Sequence, residues 1–431
     1  MKKRYKDILQ IALPAMVENM LQMLMGMVDS YLVAFLGLVA LSGVSVANNV
    51  LAIYQAIFIA LGAALSAYLG QTVGKKDQAL LSQQLTEGVK LTLLLSLILG
   101  VLSILLGPNL LLWMGAEKEV AEAGGLYLVL VGGAVGCLGF MTSLGAILRA
   151  TGRVRLPMYV SLLSNLLNAL LSALAVFVLK AGIAGVAWGT ILSRLIGCLI
   201  LWYFVKIPLG KPSWKLDRQL LRLALPAAGE RLMMRLGDLV VVGMIVSLGT
   251  AVVAGNSIGE TLTQFNYMPG LGLATATIIL TAQEKGRADW REIRALGRAS
   301  LFLALLSMGL VGLLIFVGRQ PLLALYTTDA QATTAGQLVI LFCLIGLPAT
   351  AATLIFTALW QGLGNAKLPL YATTIGMWLV RIVGAYILLT VFQLGLAAIW
   401  IGTIVDNVFR AVFLSLCFRR ELRKHGEGLL N

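Results

Sequence analysis

The sequence predicts an all-α membrane protein with twelve transmembrane helices in two six-helix lobes. Its 431 residues are 59% hydrophobic and only 12% charged, whereas a soluble domain has about 25% charged residues. Apolar stretches of about 20 residues, the length that crosses a bilayer, recur along nearly the whole chain. The second half of the chain also repeats the first. These three observations together predict a duplicated helical bundle embedded in lipid.

Apolar runs and the breakers between them define the predicted spans. The first run follows a basic head, is too long for the apolar core of a signal peptide, and has no small-residue cleavage site after it, so we expect a permanent helix. Several runs exceed the minimum length, which indicates tilt or extension beyond the lipid. The twelve predicted spans are 8–34, 42–71, 86–113, 121–150, 156–179, 182–206, 217–248, 251–283, 292–318, 332–363, 367–392 and 395–419.

The net charge of +14 is distributed very unevenly along the chain. Lysines and arginines concentrate at the two termini and in every second connection, whereas the opposite connections hold only Lys118, Lys180 and Arg319. Cytoplasmic loops of membrane proteins carry such an excess of positive charge. We therefore predict a plasma (inner) membrane protein with both termini in the cytoplasm, and we read the basic charge as orientation and not as nucleic-acid binding.

Residues for metal binding or covalent chemistry are scarce. The four cysteines lie in or beside apolar segments, and His425 in the charged tail is the only histidine. A disulfide framework, a metal site and a histidine-based catalytic triad therefore lack material. The segment "GQTVGKK" is one residue short of a phosphate-binding loop and ends in Lys, not Ser or Thr. We expect no enzymatic activity, no cofactor and no ATP-driven pump.

The two halves are related by an offset of 212 residues, the separation of Pro14 from Pro226. Glu18 and Glu230 match at this offset, and so do Gly152 and Gly364 near the far end of each half. Six spans per copy is an even number, so both copies enter the membrane in the same sense and their pseudo-two-fold axis runs along the membrane normal. We predict lobes at 1–206 and 223–431, a cytoplasmic linker at 207–222, and alternating access as the default mechanism.

Polar side chains follow one face of four predicted spans at helical spacing. An ionised acid at the bilayer centre costs roughly 2.5–3.5 kcal/mol or more, so it must face protein or a water-filled cavity. Burial favours the neutral acid, and a cavity carboxylate can then exchange protons. The stripes are Glu18, Gln22, Met25 and Asp29; Ser45, Asn48, Asn49 and Gln55; Ser161, Asn165, Asn168 and Ser172; and Asn256, Glu260, Thr263 and Tyr267.

Each acid also has a structural interpretation. Polar residues in spans hydrogen-bond neighbouring helices, and each such bond is worth about 0.6 kcal/mol. That role needs no charge, so for Asp29 we favour function. Glu18 and Glu230 lie one turn after a proline, where capping is as good an explanation as transport. Asp238 shares a stripe with arginines and can simply neutralise one. Glu260 has no local partner and is the better acidic candidate in the second half, whereas Asp406 and Arg410 form an i, i+4 pair that we interpret as structural.

Four segments carry a family resemblance: "LPAMVENMLQMLMGMVDSYLVAFLG", "LPAAGERLMMRLGD", "YMPGLGLATATIILTAQEKGR" and "LRATGRVRLPMY". Over essentially the whole chain the sequence resembles the multidrug and toxic compound extrusion (MATE) family, and most of all its DinF-like bacterial branch. The resemblance implies a twelve-helix, two-lobed antiporter that exports cationic or amphipathic compounds against a proton or sodium gradient.

The resemblance assigns Asp29 in "MVDSYLV" to the family's first-helix aspartate, which is tied to cation coupling, and Asn168 to an asparagine of the fifth helix. Ser172 stands where proton- or sodium-coupled relatives often have an aspartate, and the tenth span has no acid, so we favour protons over sodium. The predicted substrate or cavity residues are Gln22, Met25, Asn48, Asn165, Asn168, Ser172, Asn256, Glu260 and Asp238.

The predicted protein is a monomeric proton-coupled exporter of organic cations or amphipathic drugs. A lipid-linked oligosaccharide flippase of the same superfamily is the alternative, because Arg231, Arg235 and Arg381 would suit a pyrophosphate. A membrane enzyme would need a cluster of catalytic residues, and a channel would conduct without a counter-ion.

Overall fold

A computed structural model describes residues 2–210 and 215–426. Lys211 and the rest of 211–214, in the predicted linker, lie outside these residues. The described chain is helical and contains no strand. Its twelve long helices are α1 (Lys2–Ala34), α2 (Leu38–Lys75), α3 (Gln78–Trp113), α4 (Lys118–Gly132 and Gly136–Ala150), α5 (Leu156–Val178), α6 (Gly182–Phe204), α7 (Arg218–Val246), α8 (Thr250–Gly286), α9 (Trp290–Val317), α10 (Ala330–Gly362), α11 (Lys367–Thr390) and α12 (Leu396–Gly426).

Each predicted span corresponds to one of these helices. By length and composition, nine of them within 2–210 and 215–426 can cross a membrane, and the two pieces of α4 together make a tenth. The other two, α7 and α8, do not meet this criterion because α7 carries several charged residues and the first half of α8 is rich in Asn, Thr, Gln and Gly. They are the helices on which sequence patterning placed Asp238 and Glu260.

Three local features differ from the predicted spans. Helix α3 begins at Gln78 and not at 86, because Asp77 Oδ1 accepts a hydrogen bond from the Leu80 amide at 3.0 Å and caps the first turn. Helix α4 is bent by 45° where a π-helical turn (Leu128–Gly132) precedes a glycine-rich break. A short helix (Arg319–Ala324) follows α9.

The repeat is visible in backbone detail. Gly37 and Gly249, at the same position in the two copies, precede α2 and α8 with the same φ of 105°. A φ in this range favours glycine because other residues meet a steric penalty there. Asp77 and Asp289 are likewise equivalent, and each caps the helix that follows it. The offset found in the sequence therefore reproduces the same turns in both copies.

Contacts divide the chain into two compact units. The first unit is Val17–Ala224, and the second unit is the chain up to Met16 together with the chain from Leu225 onward. The predicted lobes, 1–206 and 223–431, rest on the repeat alone. The contact units differ from them in two places: the chain up to Met16 groups with the second unit, and the chain from residue 207 to Ala224 groups with the first. Residues before Met16 belong with the second unit because their side chains pack there: Arg4 Nε lies 2.6 Å from Glu292 Oε1.

In the first unit, α2 packs against both pieces of α4, and α5 packs against α6. Its core is apolar, with Phe58, Leu65 and Leu128 fully buried. In the second unit, α8 packs against α9 and α10, and α10 and α11 pack against α12. The polar side chains described below lie within these two bundles.

Close helix contact in each unit depends on glycine at equivalent positions. A Cβ on Gly43 would lie 2.6 Å from the Gly124 amide nitrogen. In the second unit, a Cβ on Gly255 would lie 2.7 Å from the Ala335 Cβ and would also collide with the Ala332 carbonyl. Because most of the colliding atoms are backbone, a side chain at these positions would push two helices apart.

We expect Gly255→Ala to destabilise the protein by about 1–3 kcal/mol, the usual cost of overpacking a core. Gly309→Ala is the matched control because, apart from its chain neighbours and its own helix backbone, no atom lies within 4 Å of its added Cβ. Thermal unfolding of the purified variants in one detergent measures the difference. Equal unfolding temperatures for the two variants would contradict the close contact.

Candidate functional site

Asp29 lies at the centre of a polar network in the first unit. Its helix, α1, presents the carboxylate to α5, where Asn168 Nδ2 donates to both Asp29 oxygens, at 3.0 and 3.1 Å. Asn168 is 5% exposed, whereas Asp29 is only partly buried. The structure therefore joins the first-span acid directly to the fifth-span amide.

The side-chain oxygen of Asn168 is also hydrogen-bonded. Its Oδ1 accepts hydrogen bonds from Ser172 at 3.1 Å and from Thr190 on α6 at 3.3 Å. Both hydroxyls are buried. A Cβ on Gly189 would lie 3.0 Å from the Ser172 hydroxyl oxygen, so the glycine allows α5 and α6 to approach here. These contacts hold Asn168 so that its NH₂ group points at the carboxylate.

No ion pair within the described ranges includes Asp29. Arg194 on α6 is within electrostatic range of the Asp29 carboxylate. The network also includes Tyr127, whose hydroxyl is hydrogen-bonded to Thr190. A partly exposed carboxylate held by a neutral amide remains able to bind a proton or a cation.

The other predicted residues of the first unit are more dispersed. Gln22 is exposed and meets Gln55 Nε2 at 3.4 Å, and Asn48 is exposed. Met25 is half-buried. Asn165 is also half-buried, with its amide nitrogen buried and without a hydrogen-bond partner in the described structure. The structure therefore joins Asp29, Asn168 and Ser172 directly, but not these four.

The second unit contains a buried group of two arginines around one aspartate. Arg410 donates to both oxygens of Asp406, at 2.8 and 2.9 Å, and Arg381 Nη2 lies 2.7 Å from Asp406 Oδ2. Asp406 is fully buried, and a Cβ on Gly376 would collide with its carboxylate. The predicted Asp406–Arg410 pair is confirmed, and the structure adds Arg381, which a π-helical segment of α11 (Ile375–Val383) presents.

Asp238 lies at the edge of this group. Its Oδ1 is 3.8 Å from Arg381 Nη1, and its side chain is 45% exposed. The predicted arginine contact therefore exists, but the partner is Arg381 on α11 and not Arg231 or Arg235 on the same helix stripe. The reason is that helical spacing identifies neighbours within one helix only.

Asn256 and Glu260 lie on α8. Asn256 is buried and accepts a hydrogen bond from Trp400 Nε1 at 3.1 Å. Glu260 is exposed, and no ion pair between described residues includes it. The structure therefore places Asn256 in the α8–α12 contact and leaves the Glu260 carboxylate accessible.

Glu18 and Glu230 have equivalent partners in the two copies. Glu18 pairs with Arg149 at 2.7 Å, and Glu230 accepts a hydrogen bond from Gln361 at 3.2 Å. Arg149 and Gln361 are themselves 212 residues apart. Both acids thus hold α1 or α7 to a neighbouring helix of the same unit, in line with the structural alternative for these residues.

Sequence patterning missed Thr190 and the proximity of Arg194 to Asp29. The repeat held a signal for the second residue: Arg194 and Asp406 are equivalent positions, so the same site in α6 and α12 carries opposite charges. A comparison of charged residues between the two copies would have identified Arg194 and Asp406 as equivalent positions of opposite charge.

The MatE family model matches residues 14–174 and 226–387, one match in each copy. The chain belongs to the MatE family. Both matches begin at the repeated proline, which confirms the duplication and the family resemblance. As a MatE family member with helices α1 to α12, the protein is a multi-pass membrane protein.

Two curated proteins are similar in sequence to this MatE chain along most of its length. "Probable multidrug resistance protein NorM" of Thermotoga maritima is 29% identical over 426 residues, covering 96% of this chain and 92% of the relative. "Probable multidrug resistance protein YoeA" of Bacillus subtilis is 23% identical over 408 residues, covering 90% and 88%.

Solved structures share the MatE fold. One described as "Crystal structure of MATE in the bent conformation" superposes with a TM-score of 0.92 at 22% identity, over 99% of this chain and 97% of that chain. A Pyrococcus furiosus transporter of the MOP superfamily, whose description refers to "reverse polarity of binding pocket", gives 0.90 at 23% identity, over 98% and 97%. The predicted all-α architecture of twelve helices is confirmed.

Proposed function

We propose that this protein is a secondary antiporter that exports organic cations or amphipathic drugs from the cytoplasm in exchange for protons. It would act as a monomer in the plasma membrane, with both termini in the cytoplasm. The observation that carries the proposal is the Asp29 carboxylate, which is partly exposed and held by the neutral amide of Asn168. The names of the curated relatives, "multidrug resistance protein", support the substrate class.

Protonation of Asp29 would change the contact between α1 and α5. Asn168 donates to both oxygens of the charged carboxylate, and a protonated acid retains less acceptor capacity for those two bonds. Asn168 cannot simply turn over, because its oxygen accepts from Ser172 and Thr190. Proton binding would therefore loosen this contact, and a cationic substrate would compete for the same charge.

Protons fit this site better than sodium. Sodium is a hard cation, and hard cations take several oxygen ligands, but Asp29 is the one carboxylate of this network and the Asn168 oxygen is occupied by two hydroxyls.

We propose Gln22, Met25, Asn48 and Asn165 as further substrate contacts in the first unit. In the second unit, the proposed substrate contacts are Asn256, Glu260 and Asp238.

Proteoliposomes test the coupling ion directly. With an acidic lumen and no sodium gradient, a fluorescent cationic drug should accumulate inside, because protons leave as the drug enters. With a sodium gradient of the same size and equal pH, accumulation should stay at the level of protein-free vesicles. Sodium-driven uptake without a response to pH would refute proton coupling.

The flippase alternative rests on the cationic residues of the second unit. Arg381 and Arg410 share Asp406, and Arg381 also faces Asp238, which reduces the positive charge available to a pyrophosphate. For this reason we favour export. Flipping of a fluorescent pyrophosphate-linked lipid in liposomes, with no efflux of cationic dye from cells, would reverse the choice.

A further inference from the structure

A cavity of about 450 Å³ lies in the first unit, away from Asp29. It opens where α2, α4 and α6 finish, at Lys75, Ala150 and Phe204. These three helices run in the same direction through one bundle, so their last residues meet at the same end of it. The cavity therefore lies at the end of these helices.

The cavity has apolar walls and a basic rim. Its walls include Ile147, Leu148 and Val205, whereas the rim carries Lys76, Arg153 and Lys206 and one acid, Asp77; all of these residues line the cavity.

The three cations of the rim are exposed, and none of them is in an ion pair between described residues. Asp77 is already engaged, since its carboxylate caps α3. The rim thus carries three positive charges against the single negative charge of Asp77.

Neighbouring aromatic residues place this cavity at the membrane surface. Trp202 and Tyr203, in the last turn of α6, are 41% and 75% exposed. Exposed Trp and Tyr mark the level of lipid headgroups in membrane proteins. The cations beside them therefore lie at the depth where lipid phosphates lie.

The three cations of the rim are not repeated in the second copy. At the equivalent positions of the second copy, Lys76 corresponds to Ala288, Arg153 to Asn365 and Lys206 to Phe418. All three charges are therefore particular to the first copy. The turns at Lys76 and Arg153 are duplicated, whereas Phe418 lies inside α12, which continues to Gly426. Arg153 also donates to the Phe204 carbonyl at the end of α6, but the turn at Lys76 is kept with Ala288 in its place.

We propose that this cavity binds an anionic phospholipid, with its phosphate between Lys76, Arg153 and Lys206 and the start of an acyl chain along the apolar wall. Basic pockets between membrane helices on the cytoplasmic side bind anionic headgroups in this way. The apolar wall and the interfacial depth favour a lipid over free phosphate. Bound lipid ties together three connections of the first unit, independently of the transported substrate.

Binding of short-chain lipids to the purified full-length protein tests the site. Dihexanoyl phosphatidylglycerol, followed by native mass spectrometry in a neutral detergent, should bind, and dihexanoyl phosphatidylcholine should bind much more weakly. Removing one cation near a lipid surface should lower the affinity about fivefold, and the triple variant Lys76→Ala/Arg153→Asn/Lys206→Ala about a hundredfold. The three side chains are exposed and only the hydrogen bond from Arg153 to the Phe204 carbonyl is lost, so the variant should unfold within a few degrees of the wild-type temperature.

The matched control removes three arginines from the start of α9, as Arg291→Ala/Arg294→Ala/Arg298→Ala, which are also exposed. This variant should retain wild-type affinity for phosphatidylglycerol. Equal losses in the two triple variants would show general charge attraction and overturn the site. Inorganic phosphate that displaces the lipid at similar concentration would overturn the assignment to a lipid.

Discussion

Replacing Asp29 with Asn should reduce proton-driven efflux to the level of empty vesicles while the protein remains folded in the membrane. Asparagine has nearly the same shape as aspartate but cannot carry the exchanged proton at neutral pH. The main structural loss is one hydrogen bond from Asn168, worth about 1 kcal/mol. Dye uptake into proteoliposomes with an acidic lumen measures the effect.

Proton release gives a second measurement for the same variant. Coupling between two ligands is reciprocal, so substrate added to the purified wild-type protein in weak buffer should release protons. The Asp29→Asn variant should release none. Glu119→Gln, which removes an exposed acid in the first turn of α4, is the control and should behave as wild type in both assays. Full proton-driven uptake by Asp29→Asn would eliminate the proposed role of this carboxylate.

Replacing Asp406 with Asn should give the largest loss of stability, about 3–5 kcal/mol, because it leaves two buried arginines without a full counter-charge. Arg381 already has a buried Nε with no hydrogen-bond partner in the described structure. We expect a lower yield of folded protein and a clearly lower unfolding temperature in detergent.

A triple variant separates charge imbalance from loss of packing. Asp406→Leu with Arg381→Met and Arg410→Met removes all three charges, and apolar replacement of such a group is often neutral or stabilising. It should recover most of the stability lost by Asp406→Asn. Glu421→Gln is the control on α12, because it affects only surface contacts, with Lys424 at 3.6 Å and with His425 at 3.9 Å. An Asp406→Asn protein as stable as wild type would contradict the account of this group.

Several features could be predicted from the sequence because they depend on local pattern. Apolar run lengths predicted the twelve helices, and the 212-residue offset predicted the duplication. Helical spacing also put Asp29 and Asn168 on the polar faces of their helices. Their direct contact then followed from the assembled bundle.

The partners of buried charged residues could not be predicted from the sequence. Arg381 on α11 reaches Asp238 and Asp406 on two other helices, and a stripe on one helix carries no information about which helix faces it. The same limit applies to Thr190, which completes the Asn168 network from α6.

By itself, the sequence determined the membrane class, the helix count and the repeat, because all three follow from hydrophobicity and periodicity along the chain. The tertiary structure decided which carboxylates stay accessible and which are neutralised by arginine. It also decided that the residues before Met16 pack with the second unit. Contacts between distant segments determine these properties, and their energies depend on burial that no single helix specifies.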